Sequence, residues 1–232
     1  MLKKLAIIGL EAAVLLGALL YWLYSDAVFT ANTNDKVVAL SFDDGPNPGE
    51  TEELLDFLAA KNITASFFII GQHAAKHPAL LQRIHNEGHE LANHSWSHDF
   101  LVHPSKALML AEIDKTNQLI LEVTGQHNRL FRPPYFAIGP GLRRAIAKRD
   151  MQVVGASASA SDAAPNNAAL AEQFAAQILS KIEPGGIILL HDGSANNDRR
   201  GSIEATKTVV NTLTQQGYRF ASVGQLLALD RP

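Results

Sequence analysis

His94 and His98 stand four residues apart, and earlier in the chain Asp43 and Asp44 stand side by side ahead of Gly45-Pro46. On a helical turn, side chains at i and i+4 project from one face, so the two imidazoles can share a metal ion. Two surface histidines would show the same spacing, and the pair decides nothing alone. The aspartates add weight, because burying two adjacent carboxylates costs several kcal/mol each unless compensated. A helix cap or a turn accounts for one of them and leaves the other without a role. On a loop the two can diverge, one binding a metal and the other reaching a water beside it. Two histidines and one carboxylate leave coordination positions open, as catalysis requires. Such donors suit Zn, and also Co, Ni, Mn or Fe. The other histidines, His73, His77, His85, His89, His103 and His127, read as surface residues.

These residues need elements to hold them. Runs suited to strands, at Val37–Phe42, Ala65–Ile70, Glu90–Asn93, Leu130–Phe131, Gln152–Ala156, Ile187–Leu190 and Tyr218–Ala221, alternate with helical stretches. The helices are expected at Glu52–Ala60, Pro78–Asn86, Ser105–Val123, Leu142–Lys148, Ala168–Lys181 and Ile203–Gln216, with one more at the C-terminus. Such alternation implies parallel strands with helices packed outside. Asp43-Asp44 follows the first strand, His94 the third, Arg132 the fourth, Asp162 the fifth and His191 the sixth. Ligand sites of parallel α/β folds lie at the carboxyl ends of the strands. An open sheet would spread these ends along a line, whereas a barrel gathers them at one mouth. The expected fold is a (β/α) barrel of about seven parallel strands.

The chain has 232 residues, of which 47% are hydrophobic and 19% charged, enough for one substantial core. Net charge is -3, and basic residues cluster no further than pairs such as Arg143-Arg144 and Arg199-Arg200, which excludes a nucleic-acid partner. Cysteine is absent, which excludes disulfides and thiolate-bound metal. At the N-terminus, Lys3 and Lys4 precede Leu5–Tyr24, an apolar stretch of about twenty residues that matches a bilayer core. Glu11 is the one charge inside it, and Tyr21, Trp22 and Tyr24 are suited to a membrane interface. The lysines predict a cytoplasmic N-terminus and an exported remainder. Cleavage at Ser25-Asp26-Ala27 is the competing reading, but the stretch is longer than a signal core and favours an uncut anchor. The expected division is an anchor or signal over 1–27, a polar linker over 28–35 and a catalytic domain over 36–232. That domain would lie in the periplasm or at the cell surface, or be secreted if the anchor is cut.

Ser41-Phe42-Asp43-Asp44-Gly45-Pro46, His94-Ser95-Trp96-Ser97-His98, Arg132-Pro133-Pro134-Tyr135 and Leu189-Leu190-His191, in that order, resemble the motifs of NodB-type polysaccharide deacetylases, carbohydrate esterase family four. The flanking Phe67-Phe68-Ile69-Ile70-Gly71 and Gly88-His89-Glu90-Leu91-Ala92-Asn93 agree. The resemblance runs from about Lys36 to Leu229. It implies a distorted barrel in which Asp44, His94 and His98 hold a divalent metal. It also implies that Asp43 is the general base for the attacking water, with Arg132 keeping it ionised. The Tyr135 N–H would steady the oxyanion, and Leu190 would line the acetyl slot. His191 would protonate the departing amine, with Asp162 keeping that imidazole charged.

Departures lie near Asp162. Ala163 and Ala156 stand where the family places tryptophans, and Phe136 replaces the usual glycine after Tyr135. The expected activity is removal of N-acetyl groups from peptidoglycan, poly-N-acetylglucosamine or chitin-like polymers. O-acetyl esterase action on xylan, hydrolysis of another amide or imide, and a silent carbohydrate-binding envelope protein are the alternatives.

Overall fold

The computed structural model describes residues 27–101, 105–164, 166–193 and 198–230. The expected anchor, most of its cleavage site and His103 lie outside the described residues. No described helix is long and apolar enough to cross a membrane.

The strands are β1 (Ala27–Val28), β2 (Val37–Asp43), β3 (Ser66–Ile69), β4 (Glu90–Asn93), β5 (Leu130–Phe131), β6 (Gln152–Val154), β7 (Ala158–Ser159), β8 (Ile187–His191) and β9 (Arg219–Ala221). Every ladder between them is parallel, in the order β1-β6-β5-β4-β3-β2-β8-β7. β9 pairs with Val37–Ala39 of β2, below the stretch Ser41–Asp43 that pairs with β3. The helices are α1 (Glu50–Lys61), α2 (Gly71–Ala74), α3 (Pro78–Asn86), α4 (Lys106–Thr124), α5 (Pro140–Ala147), α6 (Ala171–Leu179), α7 (Arg200–Gln215) and α8 (Val223–Leu227).

Strand alternation divides the core. Val38, Leu40 and Phe42 of β2 point out and pack with Leu54, Leu55 and Leu58 of α1 and Val209 and Leu213 of α7. Val37 and Ala39 point in, with Phe68, Ala92, Val154 and Ile187. Each large apolar side chain so buried contributes about 1.5–3 kcal/mol. A third cluster, including Leu101, Met109, Ile138, Leu142 and Val153, seats α4 and α5 beneath the loops after β4 and β5.

The expected closed barrel is corrected to a half-barrel with a break. Among the described residues no ladder joins β1 to β7, the two ends of the sheet. Instead Gly155-Ala156-Ser157 carries the chain from β6, paired with β5, to β7, paired with β8. Small residues suit the break because the Phe29 ring lies over it, and a Cβ on Gly155 would stand 2.2 Å from that ring. Residues 28–35, read from sequence as a linker, lie on the sheet: Val28 pairs with Val154, Thr30 bridges Gly186 and Ala31 is buried.

Candidate metal and proton-transfer site

Asp43 ends β2, and Asp44 opens the following loop at φ 74. That left-handed turn separates the carboxylates. Asp44 Oδ1 lies 3.4 Å from His94 Nε2 and 3.3 Å from His98 Nε2. Two ligands each about 2.0–2.2 Å from one tetrahedral ion stand roughly 3.3–3.6 Å apart, so these spacings suit a shared metal. Asp44 Oδ1 is also a buried acceptor without a hydrogen-bond partner among the described residues. The ligand atoms of Asp44, His94 and His98 all lie within 4.8 Å of one another. His94 Nδ1 donates to the Arg132 carbonyl at 2.7 Å, which leaves the Nε2 lone pair directed at Asp44. The residues fit a divalent cation.

The two histidines are not on a helical turn, contrary to the expectation from their spacing. They flank a loop with Ser95 at φ 70 and His98 at φ 64. Asn93 Oδ1 accepts the Ser95 N–H at 2.7 Å, and Ser95 Oγ accepts the His98 N–H at 3.0 Å. Glu112 of α4, buried, accepts the Trp96 and Ser97 N–H groups at 2.9 and 2.7 Å and the Ser97 hydroxyl at 3.0 Å. His73 Nδ1 donates to the Asp44 carbonyl at 2.9 Å, so this histidine is part of the site's frame and not a surface residue. His89 is buried as well: its Nδ1 accepts the Ala65 N–H, and burial lowers its pKa to about 4.

Asp43 points into the barrel, where Arg132 Nη1 stands 2.6 Å from its Oδ1. Arg132 is fully buried and spends its other donors on Ser41 Oγ and the carbonyls of Gly155 and Val154, with its guanidinium 3.9 Å from the Phe68 ring. Such a pair holds a carboxylate in one orientation. His191, at the end of β8, is the register partner of Asp43 on β2. Its Nδ1 and backbone N–H both donate to the Asp162 carboxylate, each at 2.9 Å, and Ser202 Oγ adds a third bond at 2.8 Å.

The electrostatics follow this geometry. Burial acts to raise the Asp44 pKa, but His94, His191 and His98 together hold it well below the usual carboxylate range. Burial acts to lower the pKa of His191, and the hydrogen bond and charge of Asp162, with Asp43 and Asp44, reverse it into a net rise. His94 is likewise raised against burial by Asp43 and Asp44, whereas burial and its neighbour His94 lower His98.

Tyr135 follows β5 in a tight turn at φ 59, with Phe136 at φ 52, and the turn's hydrogen bonds come from the N–H groups of Phe136 and Ala137. The family's glycine after Tyr135 would enter that left-handed region at no steric cost. Leu190 is not brought to the site. It packs outward in the helix-facing core, while strand alternation puts Leu189 on the face of His191. Arg199, which sequence showed only as half of a basic pair, is buried. It donates to the carbonyls of Gly193, Ala164, Ala163 and Asp162, and its Nη2 stands 4.0 Å from Asp44 Oδ2. Asp192 is also buried, bonded by Thr51 Oγ1 at 2.6 Å, and burial pushes its pKa up to about 7. Glu112, Arg199 and Asp192 had no local signal; Glu112 and Arg199 each hold a loop distant in sequence, and Asp192 meets α1.

The polysaccharide deacetylase family matches residues 30–154. Among curated proteins, the chain is 34% identical to the peptidoglycan-N-acetylmuramic acid deacetylase PdaC of Bacillus subtilis, over 85% of this chain and 40% of that protein. The chain thus spans less than half the length of that relative. Among solved structures, the Bc1960 peptidoglycan N-acetylglucosamine deacetylase superposes with a TM-score of 0.82 at 29% identity, covering 91% of this chain and 98% of that one. A family 4 acetyl xylan esterase from Clostridium thermocellum, in complex with a cobalt ion, gives 0.75 at 35% identity, covering 84% and 91%.

Proposed function

The chain belongs to the polysaccharide deacetylase family, the NodB-type hydrolases, and we propose that it removes N-acetyl groups from N-acetylglucosamine-type polysaccharide, peptidoglycan first. One observation carries the reading. A carboxylate paired with a buried arginine and an imidazole paired with a buried carboxylate stand on adjacent strands, Asp43 and His191 in register, beside an open ligand cluster. Asp44, His94 and His98 would hold the metal, Zn first among the candidates, which supplies Lewis acidity and an acidified water. Asp43 takes a proton from the attacking water, and Arg132 fixes its angle. His191, kept charged by Asp162, delivers a proton to the amine nitrogen, without which the amide is a poor leaving group. By family resemblance the N–H of Tyr135 would steady the oxyanion.

Similarity to an acetyl xylan esterase favours a second reading, O-acetyl hydrolysis by the same residues. An alkoxide leaves more readily than an amide nitrogen, so His191→Ala separates the two: loss on amides well beyond loss on esters supports the first. We also propose that residues 1–26 anchor the domain outside the cytoplasm. The direct test incubates the full chain, in detergent and with Zn or Co, with N-acetylglucosamine oligomers, peptidoglycan and acetylxylan. Acetate release that a chelator abolishes is expected. Metal-loaded protein that frees acetate from none of them overturns the proposal.

A further inference from the structure

Two large aromatic side chains stand uncovered beside the ligand cluster. Phe100 is 58% exposed and Tyr135 67% exposed. Soluble proteins leave few such groups in water, and adjacent ones mark contact surfaces. Their exposure is built in. Leu101, next to Phe100, is 1% exposed in the cluster that also holds Ile138, three residues after Tyr135. Pro134 is buried as well, and the left-handed backbone at Tyr135 turns its ring outward from that pinned turn. The Tyr135 ring packs edge-to-face with the His98 ring at 4.7 Å between centroids, and the Phe100 ring lies tilted against Tyr135 at 6.1 Å. Tyr135 thus has the ligand residue His98 and the exposed Phe100 as ring neighbours.

We propose that Phe100, with Tyr135, is a stacking subsite for a sugar ring neighbouring the one whose acetyl group is removed. This rests on the deacetylase reading for its substrate class, a polymer of N-acetylated hexosamine. Pyranose rings carry C–H groups on their broad faces and hydroxyls around the rim, and aromatic rings match the former while leaving the latter in water. Ala156 and Ala163, flanking the break and Asp162, supply no aromatic ring. Tyr135 and Phe100 thus give the site one adhesive side, which grips a polymer through a unit it does not hydrolyse. The consequence is a preference for oligomers over single sugars.

The test separates binding from turnover. Calorimetry measures binding of an N-acetylglucosamine tetramer to the metal-stripped full chain in detergent, wild type against Phe100→Ala and Phe100→Trp. The subsite predicts affinity about tenfold weaker in Phe100→Ala and retained in Phe100→Trp. On metal-loaded protein, the tetramer-to-monomer ratio of kcat/KM should fall by about the same factor in Phe100→Ala. Equal tetramer affinity in wild type and Phe100→Ala, with acetate still released, overturns the subsite and leaves the deacetylase reading standing. Tetramer binding that depends on Phe100 in a wild type that frees no acetate supports the subsite and removes the deacetylase reading.

Discussion

Asp43 and Asp44 are chemically identical neighbours that the backbone makes different. A left-handed φ at Asp44 sends one carboxylate to Arg132 and the other between two imidazoles. Asp43→Asn should therefore keep its metal and lose about 10²–10⁴ in kcat, the usual range for a general base. Acetate release and bound metal, measured on one preparation, check both halves; full activity would remove the base assignment. The catalytic types were legible because acid, base and ligand donors are rare side chains at strand ends. Orientation was less so. Leu190 and Leu189 are the same residue in the same strand, and it is Leu189, two residues before His191, that shares its face, while Leu190 turns to the helices. His73 and His89 looked alike as surface histidines, yet one ties down the Asp44 carbonyl and the other is sealed under β3.

Elements were read well where a local signal ends them. Pro78–Asn86 and Glu90–Asn93 lie where proline, glycine and periodicity put them. The middle of the loop between His94 and His98 has no local signal, because the acceptor for the Trp96 and Ser97 N–H groups arrives from α4, sixteen and fifteen residues later. Glu112→Gln keeps the size but weakens three bonds to that loop, so metal affinity should fall about 10–100-fold with secondary structure intact. A chelator titration with circular dichroism measures it, and unchanged affinity would deny α4 this role. The turn into β4 predicts an acid sensitivity. Since His89 titrates near 4 when folded and near 6.5 when unfolded, the unfolded chain takes up the proton first as pH falls. The stabilisation is present above about 6.5 and is lost toward 4, by up to about 3 kcal/mol. Urea melts across that window should show the slope in the metal-free protein, and His89→Asn should flatten it.

For the whole molecule, alternation of strands and helices disclosed a parallel fold, but not that its ladder breaks at Gly155. Phe29, in a segment that reads from sequence as a linker, lies over that break. The same segment sets how the domain is carried. β1 is parallel to its neighbours, so the chain joins the sheet at the strands' amino ends, opposite the mouth formed by Asp43, His94 and His191. With the proposed anchor ahead of it, the mouth would face away from the bilayer. A cysteine-free chain makes this measurable with single labels. A fluorophore at Arg129→Cys, before β5, should be quenched by lipid-borne quenchers, and one at Leu108→Cys, in the first turn of α4, should not. The reverse pattern would invert the molecule. Val28 and Thr30 are held by the sheet, so the stretch after residue 27 belongs to the domain and not to a tether. The seven residues of β2, at about 3.3 Å each, set the mouth roughly 20 Å from the amino pole of that strand. An enzyme so anchored would reach only polymer held at about that height above the bilayer.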